Sequence, residues 1–471
     1  MRQSAIHERS SIHGVSQFMP ERAIHYSKES LLTNKTLGAI IRRWSEFQAL
    51  SKILPLILRG VNLEKRINRF IKLYPLYYGF VGDLLFYIAI DTLFLTSVKN
   101  FSASQIVSIS AISQLVCVLL QFPILFVIKK IGNTASIRLG ALCILISSLF
   151  ITLGKNYYFV LFGIMLHEVD IILLNASVVA LENNLDLVDK RSDFVRIRTA
   201  GDTAYSVITM IIAFVVGYMF NLNHYLPMIG CITTCAIGFV LSFFMKDYSS
   251  YNKISTVKQE GRVKIEYNKI VVLIVLLFAG AYALMISGQT NGKLFIQETA
   301  LLDFDLDNTA LIISAIVCIS RIIRVISNVS FPRIYRRYNK KLGVALPTLL
   351  SVAMCLMLFG SFVPQVIVKI VMMAMGYSLI LFIRDPYKIF IQDVILDSTQ
   401  KEQHPTLLVL LSMGTKVVTA GIGLAFSAIL IGAPMFLVVA IILAMSVVAI
   451  ILSLIVYKSI LVGKQRKIDS M

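Results

Sequence analysis

The chain has 471 residues, of which 57% are hydrophobic and only 15% charged, and its mean hydropathy is +0.78. A soluble globular protein carries about 25% charged residues, so this composition excludes an ordinary soluble domain. A formal net charge of +19 would suggest nucleic acid in a soluble protein, but basic loops that anchor a membrane protein account for it more simply, and nucleic-acid binding is not expected.

Residues 1–35 read as a polar tail, with His7, His13 and His25 too scattered to hold a metal. In residues 36–60, Leu37, Ile40, Ile41, Trp44, Phe47 and Leu50 recur at helical spacing beside Arg42 and Arg43. A second short pattern follows around Leu63, Ile67, Phe70 and Ile71. Such amphipathic helices are expected to lie on the anionic inner leaflet, so residues 1–72 are assigned to a cytoplasmic tail with interfacial helices.

Twelve apolar runs then alternate with short loops, near residues 73–97, 105–128, 138–154, 157–180, 199–220, 225–245, 269–290, 307–330, 343–361, 365–384, 405–430 and 434–457. Most reach the roughly 20 helical residues needed to cross a hydrocarbon core of about 30 Å. In lipid each segment must satisfy its own backbone, so these are transmembrane helices and the fold class is an all-α membrane protein. Lys and Arg concentrate in alternate loops, as in Lys129, Lys130, Lys190, Arg191, Arg333, Arg336 and Arg337, and after span ten in Arg384 and Lys388 mixed with Asp385, while the intervening loops hold only Lys99, Lys155 and Lys293. The bias predicts both termini in the cytoplasm of a multi-pass cell-membrane protein.

The basic turn Lys129-Lys130-Ile131-Gly132 recurs as Arg336-Arg337 in the second half, each time after the second span of a six-span block. A polar stretch at 246–268 separates the blocks as a cytoplasmic linker. The expected organisation is two pseudo-symmetric six-helix bundles, 73–245 and 269–458, with a cytoplasmic tail at 459–471. With these turns the chain resembles the major facilitator superfamily, whose loop signature is G-x-L-x-D-R-x-G-R-R. Lys130 and Gly132 match as the basic residue and the glycine; Leu125, Val127, Lys129 and Asn133-Thr134 stand at the other positions. The resemblance implies a secondary transporter working by alternating access, with Lys129, Lys130, Gly132, Arg336 and Arg337 in gating loops. The aspartate-based relay of the signature is not carried over, and the Gly-Pro antiporter run is missing from span five.

Charge placement agrees with that resemblance. The interiors of spans three, six, nine and twelve, the outer ones in that fold, contain no Asp, Glu, Lys or Arg. Span one carries Asp83 and Asp91, which sit four apart from Gly79 and Tyr87 and so form one slowly drifting stripe with them on the helix. Span four carries His167, Glu168, Asp170 and Asn175, of which Glu168 and Asn175 share the face assigned to the cavity. Spans eight and eleven supply the opposite sign through Arg321, Arg324 and Lys416. Buried charges of this kind usually face a bundle interior. Asp83, Asp91 and Glu168 are the candidates for proton coupling, with Lys416 or Arg321 as counter-charge to Asp83. Tyr87, Asn175, Tyr282, Gln289 and Tyr377 are candidates for substrate contact. A structural salt bridge from Lys416 to Asp83 or Glu168 is the alternative role for that lysine.

The six cysteines all fall in apolar runs and read as small buried hydrophobes. No Walker A motif, zinc set or nucleophile motif is present, so neither an enzyme nor a cofactor is expected. The functional expectation is a monomeric, proton-coupled transporter of a small organic solute. Export comes first, because paired acids on span one resemble some drug/proton antiporters. Uptake by proton symport, and a non-transporting sensor or assembly protein of the same fold, are the alternatives.

Overall fold

The computed structural model describes residues 63–249, 269–338, 341–398 and 404–468. The tail and Trp44 helix expected at 1–62, most of the 246–268 linker, and Lys340 lie outside the described residues.

The first crossing is not a continuous helix. It comprises α1, residues 63–81, a turn at 82–86, and α2, Tyr87–Leu93, closed by a π-helical turn at Phe94–Val98. The remaining crossings are α3 (Ala103–Ile131), α4 (Asn133–Leu153), α5 (Tyr157–Asp186), α6 (Phe194–Leu222), α7 (Leu226–Ser242), α8 (Lys269–Asp303), α9 (Leu306–Tyr338), α10 (Leu342–Ser361), α11 (Val366–Ser398), α12 (His404–Ile429) and α13 (Met435–Ile468). The chain is therefore an all-α membrane protein with twelve crossings in two pseudo-symmetric six-helix bundles. Among the described residues, nine helices are long and apolar enough to span a membrane by themselves.

Several helices outrun their apolar stretches. Residues 63–72, expected on the membrane surface, belong to the same helix as 73–81. Lys293, expected in a loop, lies inside α8, and Arg384, Asp385 and Lys388, expected after span ten, lie inside α11. Hydropathy marks where lipid contact ends, whereas a helix with protein partners continues for as long as its charges find partners or water.

Side-chain caps fix where several helices begin and end. Ser102 and Gln105 form a reciprocal capping box at the start of α3, and the Asn156 side chain accepts from the Phe159 amide to start α5. Lys99 donates to the carbonyls of Thr152 (2.7 Å) and Gly154 (2.8 Å), neutralising the carbonyl-rich end of α4. Gly132 joins α3 to α4 at φ +82°, ψ +164°, an essentially glycine-only region that costs a residue with a Cβ about 1–3 kcal/mol. Gly132→Ala is thus expected to lower unfolding stability by about that amount, measurable by denaturant melts in detergent.

The stretch assigned to the linker begins with a docked segment. Asp247, 6% exposed, accepts from Asn133 (2.6 Å) and Asn183 (3.0 Å), and its amide donates to Thr134 (2.9 Å). A carboxylate from outside the 129–134 turn therefore ties α4 to the end of α5, in a chain whose own signature position holds Lys129.

The two bundles meet along two helix pairs, α3 with α12 and α6 with α9. A pseudo-two-fold exchange of the halves converts one pair into the other. Both crossings are close because the residues are small. A Cβ on Gly423 would lie 2.8 Å from the Ala111 Cβ, and one on Gly217 would lie 2.8 Å from the Ser314 Cβ. Such small-residue contacts hold helices together in lipid, where apolar burial gives little drive. Ser104 donates to the Ser427 carbonyl (2.8 Å), and Ser427 donates to the Ser104 carbonyl (3.0 Å). Ser314 bonds the Ala213 carbonyl and accepts from the Gly217 amide (3.2 Å).

These contacts gather at the end of the bundle away from the Lys129–Gly132 and Arg336–Arg337 turns. The end carrying those turns is called the basic end below, and the opposite one the far end.

Candidate functional site

Between α1 and α6 of the first bundle and α9 and α11 of the second lies a cavity of about 750 Å³. Its walls include Arg198, Asp202, Tyr205, Arg321, Arg324 and Asn328. It opens between the basic-end segments of these helices. Above it, toward the far end, a separate space of about 50 Å³ is bounded by Asp91, Gln289, Lys293, Arg321 and Tyr377. Arg321 belongs to both walls, so its side chain stands where the open cavity ends and the closed region begins.

The broken first crossing supplies the centre. Asp83 sits in the turn at 82–86, where the helical ladder is interrupted. Its Oδ1 accepts from the Leu84 amide (2.8 Å) and its Oδ2 accepts from the Tyr205 hydroxyl (3.1 Å). His167 Nε2 lies 3.2 Å from Oδ1, close enough for an ion pair although its N–H is not well aligned to any acceptor. Gly82 lets the Tyr205 ring approach, since a Cβ there would lie 3.2 Å from Cδ2 of that ring. Broken helices at mid-membrane free backbone groups and are tolerated where protein or a water-filled cavity satisfies them.

Span four contributes on both faces. The face holding Glu168 and Asn175 was expected to be the one used. Instead His167 reaches Asp83, while Glu168 turns to α3 and α12, where it accepts from Gln114 (3.2 Å) and pairs with Lys416 (3.5 Å). Asn175 is exposed and donates to the Ile172 carbonyl of its own helix (3.1 Å). Asp170 is 1% exposed, and neither of its carboxylate oxygens has a hydrogen-bond partner among the described residues. It fills the space over Gly140, whose Cβ would meet its Oδ1 at 2.8 Å.

The counter-charges also differ from expectation. Asp83 pairs with neither Lys416 nor Arg321, because its histidine partner lies in its own bundle. Lys416 joins Glu168 across the bundles and lies 2.7 Å from the Cys117 sulfur. Asp91, expected on the same stripe as Asp83, is turned elsewhere by the break and pairs with Lys293 of α8, which also donates to the Ile88 carbonyl (3.0 Å). Thr96 and Gln297 bond next to that pair. Among the described residues two lysine–carboxylate pairs therefore bridge the bundles, Asp91–Lys293 and Glu168–Lys416, and His224 Nε2 lies 3.9 Å from Asp307 across them as well.

In the second bundle Arg324 and Arg384 share Asp385. Arg384 also bonds the Gln289 side chain. Tyr377 is buried against the small upper space, Tyr282 is half-buried, and Tyr87 is buried in the core. On the opposite wall Arg198 stacks 4.1 Å over the Tyr78 ring, bonds its hydroxyl (2.9 Å) and pairs with Asp202 (3.1 Å). Lys129, Lys130, Arg336 and Arg337 are exposed at the basic end. Among the described residues no three His, Cys, Asp or Glu side chains converge as a metal group.

Sequence reasoning did not single out Tyr205, Lys293, Arg198, Arg384 or Asp385 and placed His167 on an unused face. A charge-pairing signal was available for Lys293, because a lysine less than one turn past an apolar run can still be helical.

Breaking one cross-bundle pair gives a direct check of its burial. Glu168 is 6% exposed at its side chain. Lys416→Met strands that carboxylate and is expected to cost about 3–5 kcal/mol. Glu168→Gln/Lys416→Met should recover most of it, as read by a double-mutant cycle on detergent melts.

By sequence, no family model and no curated protein matches the chain. By structure, 84% of it superposes on 99% of the nucleoside transporter NupG, with 14% identity and a TM-score of 0.65. A bacterial homologue of the iron transporter ferroportin, solved in an inward-facing state, gives 12% identity and a TM-score of 0.57 over 84% of this chain and 99% of that one. A bacterial homologue of the human lysosomal transporter Spinster, inward-facing and unoccupied, gives 10% identity and 0.55 over 83% and 96%. With its broken first crossing and its two bundles meeting around one central cavity, the chain has the fold of the major facilitator superfamily.

Proposed function

We propose that the protein is a secondary transporter that moves a small organic solute by alternating access and couples the movement to protons. The basic end faces the cytoplasm of a cell membrane, following the Lys/Arg bias, and the structure is then an inward-open state. One observation carries the reading: the cavity is open at one end while cross-bundle ion pairs and small-residue contacts shut the other. A rocking of the two bundles about the central site would exchange which end is shut. The solved structures of the same fold are of transporters, which supports the reading.

The proton is carried by Asp83 and His167 as a unit. The titratable and charged groups around them are Tyr205 of α6, Glu168 and Asp170 of α5, Cys231 of α7 and Arg321 of α9. An imidazole and a carboxylate in contact at the edge of a water-filled cavity can hand a proton between them and to that water, and the break in the first crossing lets this exchange follow movement of the helix.

The test uses purified protein in liposomes with an internal pH dye and an imposed pH gradient. Adding the transported solute is expected to produce proton flux, and the side from which it does so gives the direction. Solute binding with no flux in either direction would support instead a sensor of the same fold.

A further inference from the structure

Positive charge is in excess over carboxylates at the head of the cavity. Asp385 is the single carboxylate shared by Arg324 and Arg384, so that cluster keeps one charge over. Arg321, half-buried at the closed end, has no carboxylate within ion-pair distance among the described residues. On the opposite wall Arg198 and Asp202 cancel; Asp83 is offset by His167 when that histidine is protonated, and Lys388 in the same lining keeps the balance positive when it is not. A guanidinium held away from bulk water without a counter-ion is costly inside a membrane protein, and a ligand that supplies the counter-ion recovers that cost.

We infer that the transported solute is a small organic anion whose carboxylate or phosphate docks on Arg321. The inference rests on the transporter reading above and names its substrate class. Arg321 presents a planar fork of donors that suits either oxyanion. Asn328 and Ser206 line the same cavity and offer hydrogen bonds to the rest of the solute. The cavity of about 750 Å³ accepts a solute of metabolite size with water to spare. The site also touches the proton carrier. Tyr205 donates to Asp83 and stands next to Arg321, so an anion on Arg321 sits one hydroxyl away from the Asp83–His167 unit. Loading the anion and changing the protonation of that unit therefore act on one another through a single side chain, which is what coupling requires.

The test reads the field of the cavity before the solute is known. A Ser206→Cys reporter is placed in a full-length chain lacking its six native cysteines, and is labelled with sulfonatoethyl and trimethylammonioethyl methanethiosulfonate. Relative to a free thiol in solution, the anionic reagent is expected to be favoured by about tenfold. The preference should collapse in Arg321→Gln and survive in Arg321→Lys, which separates loss of charge from loss of fold. Millimolar benzoate, gluconate or glycerol phosphate should slow labelling, where benzamide, glucose and glycerol do not; the carboxylates and the phosphate separate the two oxyanion classes. A preference for the cationic reagent, a preference unaltered in Arg321→Gln, or equal slowing by the neutral compounds overturns the inference while leaving the transporter reading standing. A reporter that neither reagent reaches overturns the open cavity, and with it both.

Discussion

Asp91→Asn is expected to tip the protein out of the observed state. Lys293 is 8% exposed at its side chain and its only carboxylate partner among the described residues is Asp91. Removing that partner leaves a buried ammonium with the Ile88 carbonyl alone. Stranding a buried charge costs about 3–5 kcal/mol, and the cost falls only on the state in which the far end is shut. With the far end open, Lys293 is hydrated and the substitution is nearly neutral. A bias of about 3 kcal/mol shifts the ratio of the two states roughly a hundredfold. Asp91→Asn/Lys293→Met should restore the balance, because it removes the stranded charge as well. Labelling of a cysteine at Thr96, beside the pair, reads the outcome: fast in the single variant, slow in the double variant and in the parent. Equal rates in all three would mean that the pair does not hold the far end.

Asp83→Asn is expected to abolish coupling and spare exchange. The asparagine keeps the size of the side chain; its Oδ1 can still accept from the Leu84 amide, and its Nδ2 can donate to the Tyr205 hydroxyl oxygen in place of the bond that Asp83 accepts. It cannot take up and release a proton. Accumulation driven by a pH gradient should fall to the level of liposomes without protein, whereas solute counterflow at equal pH on both sides continues. Unchanged pH dependence would remove Asp83 from the mechanism. His167→Gln tests the second member of the unit and should flatten the pH dependence while leaving counterflow intact. Loss of counterflow in both variants would instead mark the pair as structural.

The helices were legible because lipid imposes a strong pattern. Twelve apolar runs, the alternating basic turns and the absence of charge from the four outer crossings all follow from the cost of burying charge in hydrocarbon. The Glu168–Lys416 bridge was legible for the same reason, since a lysine at that depth needs a partner. The break at 82–86 was not. No proline marks it, and Gly82 followed by Asp83 fits a helix as well as a turn; tertiary contact with Tyr205 and His167 decides between them. Missing the break put Asp91 on the wrong stripe and hid Lys293 as its partner. His167 was set aside because one helix face was assumed to serve one cavity. A central helix touches several neighbours, and α5 uses adjacent residues for Asp83 and for Lys416. Arg384 and Asp385 were assigned to a loop because hydropathy does not distinguish a solvated charge from one neutralised inside a helix pair.

The most direct measurement of the account is a pair of spin-label distances followed together by double electron–electron resonance. One pair, Thr199→Cys with Ile389→Cys, spans the cavity mouth between α6 and α11. The other, Leu222→Cys with Leu302→Cys, joins exposed positions at the far ends of α6 and α8. Alternating access predicts two populations whose distances change in opposite senses, with the far-end-open one enriched in Asp91→Asn. A single distance at each end, unmoved by pH and by that substitution, would contradict it.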